Sequence, residues 1–189
     1  MTKNNIIVSS VGGNHRNDRQ KDDFYPTPND CTLALINYEK EYFSGKKIWE
    51  PACGDGAISK PLISAGFDVY STDLVGRGFG TPDTDFLSTT DLNDCTAIIT
   101  NPPFILSKDF IEHSLDKLGV DYLALLLKAQ YFHAKSRIEL FEKFPPSVVY
   151  ALTWRPDFLG RGASTMECAW FVWDKNRSGS TIYKLMKKP

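Results

Sequence analysis

No stretch of this 189-residue chain stays apolar for the roughly 20 residues that a membrane-spanning helix needs, and its start lacks the pattern of a secretory leader. A soluble, cytoplasmic protein with no membrane partner is the expectation. Charge of one sign is also missing, since 22 basic residues stand against 23 acidic ones for a net charge of −1. No overall positive field would draw the molecule onto nucleic acid, so any such contact must come from a local patch. Cysteine is scarce and scattered: Cys31, Cys53, Cys95 and Cys168 have no short paired spacing, which argues against a zinc knuckle or a disulfide framework and for a reducing compartment. His113 and His133 have no carboxylate or cysteine at ligand spacing, so no metal is expected. With 42% hydrophobic residues, the chain is long enough for one well-buried domain and short for two.

What is present has an order. Residues 1–22 are polar without a regular apolar pattern and read as a flexible arm, with Arg16, Arg19 and Lys21 as a candidate nucleic-acid contact. Tyr25-Pro26-Thr27-Pro28 follows, and the spacing of Leu33, Leu35, Ile36, Tyr38 and Tyr42 predicts a helix ending near Ser44-Gly45. Thr27 reads as its N-cap, with Pro28 at the first helical position and Asp30 in the first turn. Residues 47–51 predict a first strand, and Ala52-Cys53-Gly54-Asp55-Gly56-Ala57 a tight turn into the next helix, where small residues let a ligand approach the backbone closely. The spacing is not that of a phosphate-binding P-loop. A second strand, residues 67–73, ends on Asp73, placed to accept hydrogen bonds from ribose hydroxyls. Residues 75–82 are turn-rich.

Ala97-Ile98-Ile99-Thr100 predicts a strand that stops abruptly at Asn101-Pro102-Pro103-Phe104. The prolines cannot donate to a sheet ladder and they stiffen the backbone. An amide and an aromatic ring are thereby held at a strand's carboxyl end, the edge where open α/β sheets bind ligands. Further on come a helix through Phe110, Ile111, Leu115 and Leu118 to Gly119, and a buried strand at 122–127. A helix at 134–144 is stopped by Pro145-Pro146, and strands at 148–152 and 168–173 form a hairpin across a long loop. Residues 176–189 read as a basic tail able to contact phosphate. Strands alternating with helices over residues 23–175 give a doubly wound α/β catalytic domain.

Three of these stretches carry a resemblance. NPPF at residues 101–104 resembles the catalytic motif of the S-adenosylmethionine-dependent amino-methyltransferases, above all the N6-adenine DNA methyltransferases. EPACGDG at 50–56 resembles their cofactor turn, and YPTP at 25–28 their amino-terminal motif. The three in this order are far more specific than any one alone. The resemblance implies a Rossmann-like, seven-stranded sheet, mostly parallel with one reversed strand, S-adenosylmethionine as cofactor and DNA as partner. It implies catalytic roles for Asn101, Pro102, Pro103 and Phe104. The Asn101 side-chain oxygen and the Pro102 carbonyl would each accept an N–H of an exocyclic amine, while Phe104 lies against the flipped base. Cofactor contacts are implied for Tyr25, Thr27, Pro28, Glu50, Pro51, Ala52, Gly54, Asp55, Asp73, Asp85 and Phe86. Among these, Glu50 and Asp55 would face the methionine ammonium, Asp73 the ribose, and Asp85 the adenine amino group.

Trp154-Arg155-Pro156-Asp157-Phe158 with Arg161, followed by Ala169-Trp170-Phe171-Val172-Trp173, resembles the late motif of small phage-encoded adenine methyltransferases. It implies that Phe158 helps sandwich the extruded base and that Arg155 and Arg161 contact phosphate. Larger members carry a separate target-recognition domain for which this length has no room. Recognition then falls to loops such as 154–167, to a partner, or to a second copy. The same catalytic motif resembles enzymes acting on RNA adenine, on guanine amino groups or on protein glutamine. A non-enzymatic cofactor-fold subunit that binds nucleic acid is the alternative from another class.

Overall fold

The computed structural model describes residues 24–162 and 164–189; the proposed arm, with Arg16, Arg19 and Lys21, lies outside the described residues. Seven strands, β1 (Ile48–Glu50), β2 (Val69–Ser71), β3 (Ala97–Thr100), β4 (Tyr122–Lys128), β5 (Val148–Leu152), β6 (Cys168–Asp174) and β7 (Ile182–Met186), form one sheet ordered β2-β1-β3-β4-β6-β5-β7. Only β6 is reversed: it pairs antiparallel with β4 and β5, and every other pair is parallel. The doubly wound α/β sheet with one reversed strand is therefore present. Its seventh strand comes from residues read as a tail, because β7 pairs with β5 from Val148↔Ile182 to Leu152↔Met186. Ile182, Tyr183 and Leu185 stay exposed there and only Met186 is buried, so this edge strand lacks the one-sided burial that makes a strand legible.

Alternation along the central strands builds two cores. Ala97, Ile99, Tyr122, Ala124 and Leu126 face one side, and Ile98, Leu123, Leu125 and Leu127 the other. Helices α1 (Asn29–Phe43) and α2 (Ser59–Ser64) cover the first face. Helices α3 (Ser107–Glu112) and α4 (Ile138–Lys143) cover the second. The helix expected over 134–144 is broken into a 3-10 turn at Lys135–Arg137 and the short α4, with the Arg137 guanidinium folded back onto the Tyr131 carbonyl. Among the described residues no helix is long and apolar enough to cross a membrane.

Helix α1 departs from expectation twice. Pro28, not Thr27, occupies the N-cap, with no side-chain hydrogen bond; the Pro28 carbonyl accepts from the Cys31 N–H at 3.0 Å. The inward face also includes Cys31, Thr32 and Glu39, while Leu33, Tyr38 and Tyr42 are exposed. Glu39 is wholly buried because donors meet it there: the Tyr122 hydroxyl at 3.0 Å, the Tyr150 hydroxyl, and the Arg177 guanidinium at 2.5 Å. Arg177 also lies 3.2 Å from the Asp174 carboxylate and 3.4 Å from the centre of the Tyr42 ring. Removing one partner of such a pair strands the others in a dry interior. Glu39→Ala should therefore lower unfolding stability by about 3–5 kcal/mol, measured by urea denaturation, far beyond an exposed glutamate change such as Glu41→Ala.

Candidate active site at the carboxyl edge of the sheet

Strands β2 and β3 flank β1 on opposite sides, so the chain's path reverses direction across β1. At such a switch point the loops leaving neighbouring strands part and open a crevice. Here it is a cleft of about 930 Å³ of empty space, partly open to solvent.

One end of the cleft is acidic. Glu50, the last residue of β1, is buried and accepts from the Ser59 hydroxyl, which shares a 2.7 Å hydrogen bond with Ser71. Burial pushes the Glu50 carboxyl well above the usual carboxylate range despite the Ser59 bond, and the neighbouring Asp73 and Asp55 add to the rise. The Asp73 carboxylate accepts from the amides of Gly54 at 2.7 Å and Val75 at 2.8 Å, fastening the β1 turn to the β2 loop. Asp55 Oδ1 is buried with no hydrogen-bond partner among the described residues. The turn is tightly covered: a Cβ on Gly54 would lie 2.4 Å from the Phe24 ring, and one on Gly56 2.7 Å from the Phe79 ring, both at positive φ. Burial first and Glu50 second push the Cys53 thiol up to about 12, so it is an inert packing group.

Asp85 and Phe86 form the next wall. Asp85 caps a short 3-10 turn, Phe86–Ser88, accepting from the Leu87 amide at 3.1 Å and the Ser88 hydroxyl at 2.7 Å. Phe86 is buried against Trp49, Phe110 and His113.

Beside β1, the neighbouring strand β3 delivers Asn101 just past its carboxyl end. Its amide nitrogen donates to the Thr27 hydroxyl at 3.1 Å and the Tyr25 carbonyl at 3.3 Å. Its oxygen, Asn101 Oδ1, is buried with no partner among the described residues. Pro102, Pro103 and Phe104 continue the lining, and the Lys128 ammonium sits 5.2 Å from the Phe104 ring centre. Arg77 lies 4.1 Å from the centre of the Phe24 ring at the mouth.

The cleft thus gathers Asn101, Pro102, Pro103, Phe104, Tyr25, Thr27, Glu50, Pro51, Ala52, Gly54, Asp55, Asp73, Asp85 and Phe86. Four anticipated residues stand elsewhere. Pro28 caps α1. Arg155 pairs with Glu167 at 2.8 Å on the surface. The Arg161 backbone N–H donates to Asp157, within a loop gathered around that carboxylate. Phe158 packs on the core and meets Tyr25 edge-on at 6.3 Å, one ring behind the cleft wall. Phe24, Arg77, Thr84 and Leu87 belong to the lining without having been anticipated. Of these Phe24, beside the YPTP motif, and Leu87, which follows Asp85-Phe86, carried a positional hint.

No protein-family model matches the chain, and no curated protein matches its sequence. Solved structures do resemble it. A Vibrio vulnificus protein assigned as a modification subunit of a type I restriction enzyme superposes with a TM-score of 0.62 at 16% identity, over 88% of this chain and 48% of that one. A Pyrococcus horikoshii protein assigned as an RNA methyltransferase gives 0.61 at 18% identity, over 80% and 86%. The Pyrococcus abyssi tRNA (uracil-54, C5)-methyltransferase in complex with S-adenosyl-L-homocysteine gives 0.55 at 14%, over 79% and 39%. This chain thus spans about half the length of the restriction-enzyme subunit. The fold is the Rossmann-like α/β fold of these methyltransferase structures.

Glu50 yields a test of the acidic end in the ligand-free protein. Its folded-state pKa is raised, so its stabilising proton is held fully below the unfolded value of about 4.3 and lost as pH climbs through the folded value. Glu50→Gln keeps an acceptor for Ser59 and removes the charge. The variant's stability advantage over the wild type should therefore grow between pH 5 and pH 8 on urea unfolding, and a constant difference would contradict the raised pKa.

Proposed function

We propose that the protein is an S-adenosylmethionine-dependent methyltransferase that modifies the exocyclic N6 amino group of adenine in DNA. The observation that carries this reading is Asn101 Oδ1: a buried amide oxygen with no partner among the described residues, on a side chain that lines a cleft also lined by Glu50, Asp55 and Asp73. The residues also fit the cofactor. Glu50, Asp55 and Asp73 crowd that end, and the unpartnered Asp55 Oδ1 is an acceptor awaiting a donor, as a ligand bearing an ammonium group would supply. Asp73 is the candidate holder of the ribose hydroxyls, and Asp85 with Phe86 of the adenine. Tyr25 and the Pro51-Ala52-Gly54 turn complete the enclosure. Bound there, S-adenosylmethionine supplies an electrophilic methyl group.

The chain's own residues prepare the acceptor. An aromatic amine is a weak nucleophile because its lone pair is delocalised into the ring. Asn101 Oδ1 and the Pro102 carbonyl would each accept one of its N–H groups, favouring a pyramidal nitrogen with the lone pair aimed at the methyl group. Acceptors fixed beforehand need no reorganisation as charge develops. Phe104 would lie on the base, and the nearby Lys128 would favour the phosphate side. The methylated nitrogen then releases its proton to solvent, and the reaction requires neither a metal nor a covalent enzyme intermediate. Phe158, standing behind Tyr25, would support the pocket wall, while Arg155 and Arg161 would contact a DNA backbone from the surface loop that carries them. The neighbouring restriction-enzyme subunit is consistent with DNA as the substrate and with a partner or second copy supplying recognition.

Incubation with S-adenosylmethionine and unmethylated DNA or RNA, followed by mass spectrometry of the nucleosides, should show N6-methyladenine in DNA. Asn101→Ala should reduce turnover roughly 100-fold or more while leaving cofactor affinity within about twofold. Product confined to RNA would replace the substrate, and full activity of Asn101→Ala would remove the mechanism.

Cofactor affinity should also rise as pH climbs above the ordinary carboxylate range, because a bound cation favours the ionised form of a carboxyl that otherwise holds its proton. Calorimetry in buffers of different ionisation enthalpy should detect the proton released. Glu50→Gln should bind more weakly and lose this pH dependence.

A further inference from the structure

We infer that Thr27 is a positioning residue whose hydroxyl, with the Tyr25 carbonyl, sets the polarity of the Asn101 amide. This inference rests on the catalytic reading of Asn101. A side-chain amide has a donating and an accepting end, and only the accepting end can receive an amine N–H. In this structure both donor protons of Asn101 Nδ2 are taken, one by the Tyr25 carbonyl at 3.3 Å and one by the Thr27 hydroxyl at 3.1 Å. A backbone carbonyl can only accept, so a flipped amide would bring two oxygens together. The observed orientation leaves Oδ1 as the one uncommitted atom of this amide among the described residues, buried on a side chain that lines the cleft.

The sequence around Thr27 suits this task. Proline follows both Tyr25 and Thr27, and a residue before proline is confined to extended backbone. The carbonyl and the hydroxyl are thus held at fixed spacing, and Asn101, itself followed by Pro102, is confined in the same way. Thr27 is 6% exposed and does not cap α1, since Pro28 occupies that position without a side-chain bond. Its hydroxyl is thereby available to the catalytic amide. Tyr25 and Thr27 also line the cleft, so one segment both walls the ligand space and orients the acceptor.

The test uses the full chain in three versions, wild type, Thr27→Val and Thr27→Ser. Exchange of the Asn101 side-chain amide protons, followed by NMR without substrate, should be slow in the wild type and in Thr27→Ser. In Thr27→Val it should be at least about tenfold faster, with the melting temperature little changed. With unmethylated DNA as substrate, Thr27→Val should lower kcat about tenfold or more with S-adenosylmethionine affinity within about twofold, and Thr27→Ser should restore it. Adding Thr27→Val to Asn101→Ala should cost nothing further, since the two act as one unit. Unchanged amide exchange in Thr27→Val, or additive effects in the double variant, would overturn the inference while leaving the role of Asn101 intact. An inactive wild type would remove the proposed reaction and leave the exchange measurement to decide the clamp.

Discussion

A carboxylate shut away from water must be met by donors, and Glu39 is met by two tyrosyl hydroxyls and a guanidinium drawn from three separate parts of the sheet. Tyr122 lies on β4, Tyr150 on β5, and Arg177 in the connection from β6 to β7. Alternative placements of α1 would leave a charge buried and unpaired, which costs more than ordinary apolar mispacking. The indole of Trp170 adds a bond to the Cys31 carbonyl at 3.0 Å, and the Tyr38 hydroxyl accepts from the Lys187 amide at 3.1 Å. Helix α1 is thus fixed along its length. Its amino-terminal end is continuous with Tyr25-Pro26-Thr27, so a polar cluster in the core also sets where the Asn101 holder lies.

The cleft makes the opposite use of the same physics. At Glu39 every acceptor is answered; at the acidic end, three carboxyls share a cramped space and one oxygen of Asp55 has no partner. Glu50 is driven toward its neutral form by burial, which lowers the cost of crowding three carboxyls at the expense of the charge a cationic ligand would want. Strain of this kind is expected where binding matters more than fold stability. Other buried side-chain atoms without partners include the hydroxyls of Thr32, Thr100 and Ser114. A hydroxyl can rotate to suit its surroundings, whereas an amide oxygen only accepts and a carboxylate oxygen donates only once protonated. Among the described residues the two oxygens of that kind without a partner, on Asp55 and Asn101, belong to residues that line the cleft.

Most of the strand edge was legible because its signals are backbone signals. Prolines after Thr100 and small residues after Glu50 constrain the chain wherever they occur, so the turns carrying Asn101 and Gly54 are where the sequence put them. What escaped depends on tertiary partners. Glu39 lies on the buried face of α1 only because Tyr122, Tyr150 and Arg177 are far along the chain, and hydrophobic spacing assigned that face to Tyr38 and Tyr42 instead. Thr27 looked like a cap because Thr-Pro before a helix usually is one, yet α1 starts one residue later and the Thr27 hydroxyl accepts from the Asn101 amide instead. Strand β7 is an exposed edge held by backbone pairing with β5, so side-chain pattern had little to report. The placement of Phe158 against Tyr25 followed from the course of a long loop, which motif order does not determine.

The prolines explain why an unsatisfied acceptor survives at Asn101. A buried carbonyl-type oxygen without a partner costs about 1–3 kcal/mol, and a flexible surrounding would relax to satisfy it. Pro26, Pro28, Pro102 and Pro103 remove that freedom on both sides of the Asn101 contact, and they do so largely by narrowing the unfolded ensemble rather than by adding native bonds. The loss at one oxygen is thereby offset by stiffness in the segments that hold it. A ligand that offered an N–H to Asn101 Oδ1 would recover the deficit, so the rigidity that tolerates the orphan oxygen would also favour binding.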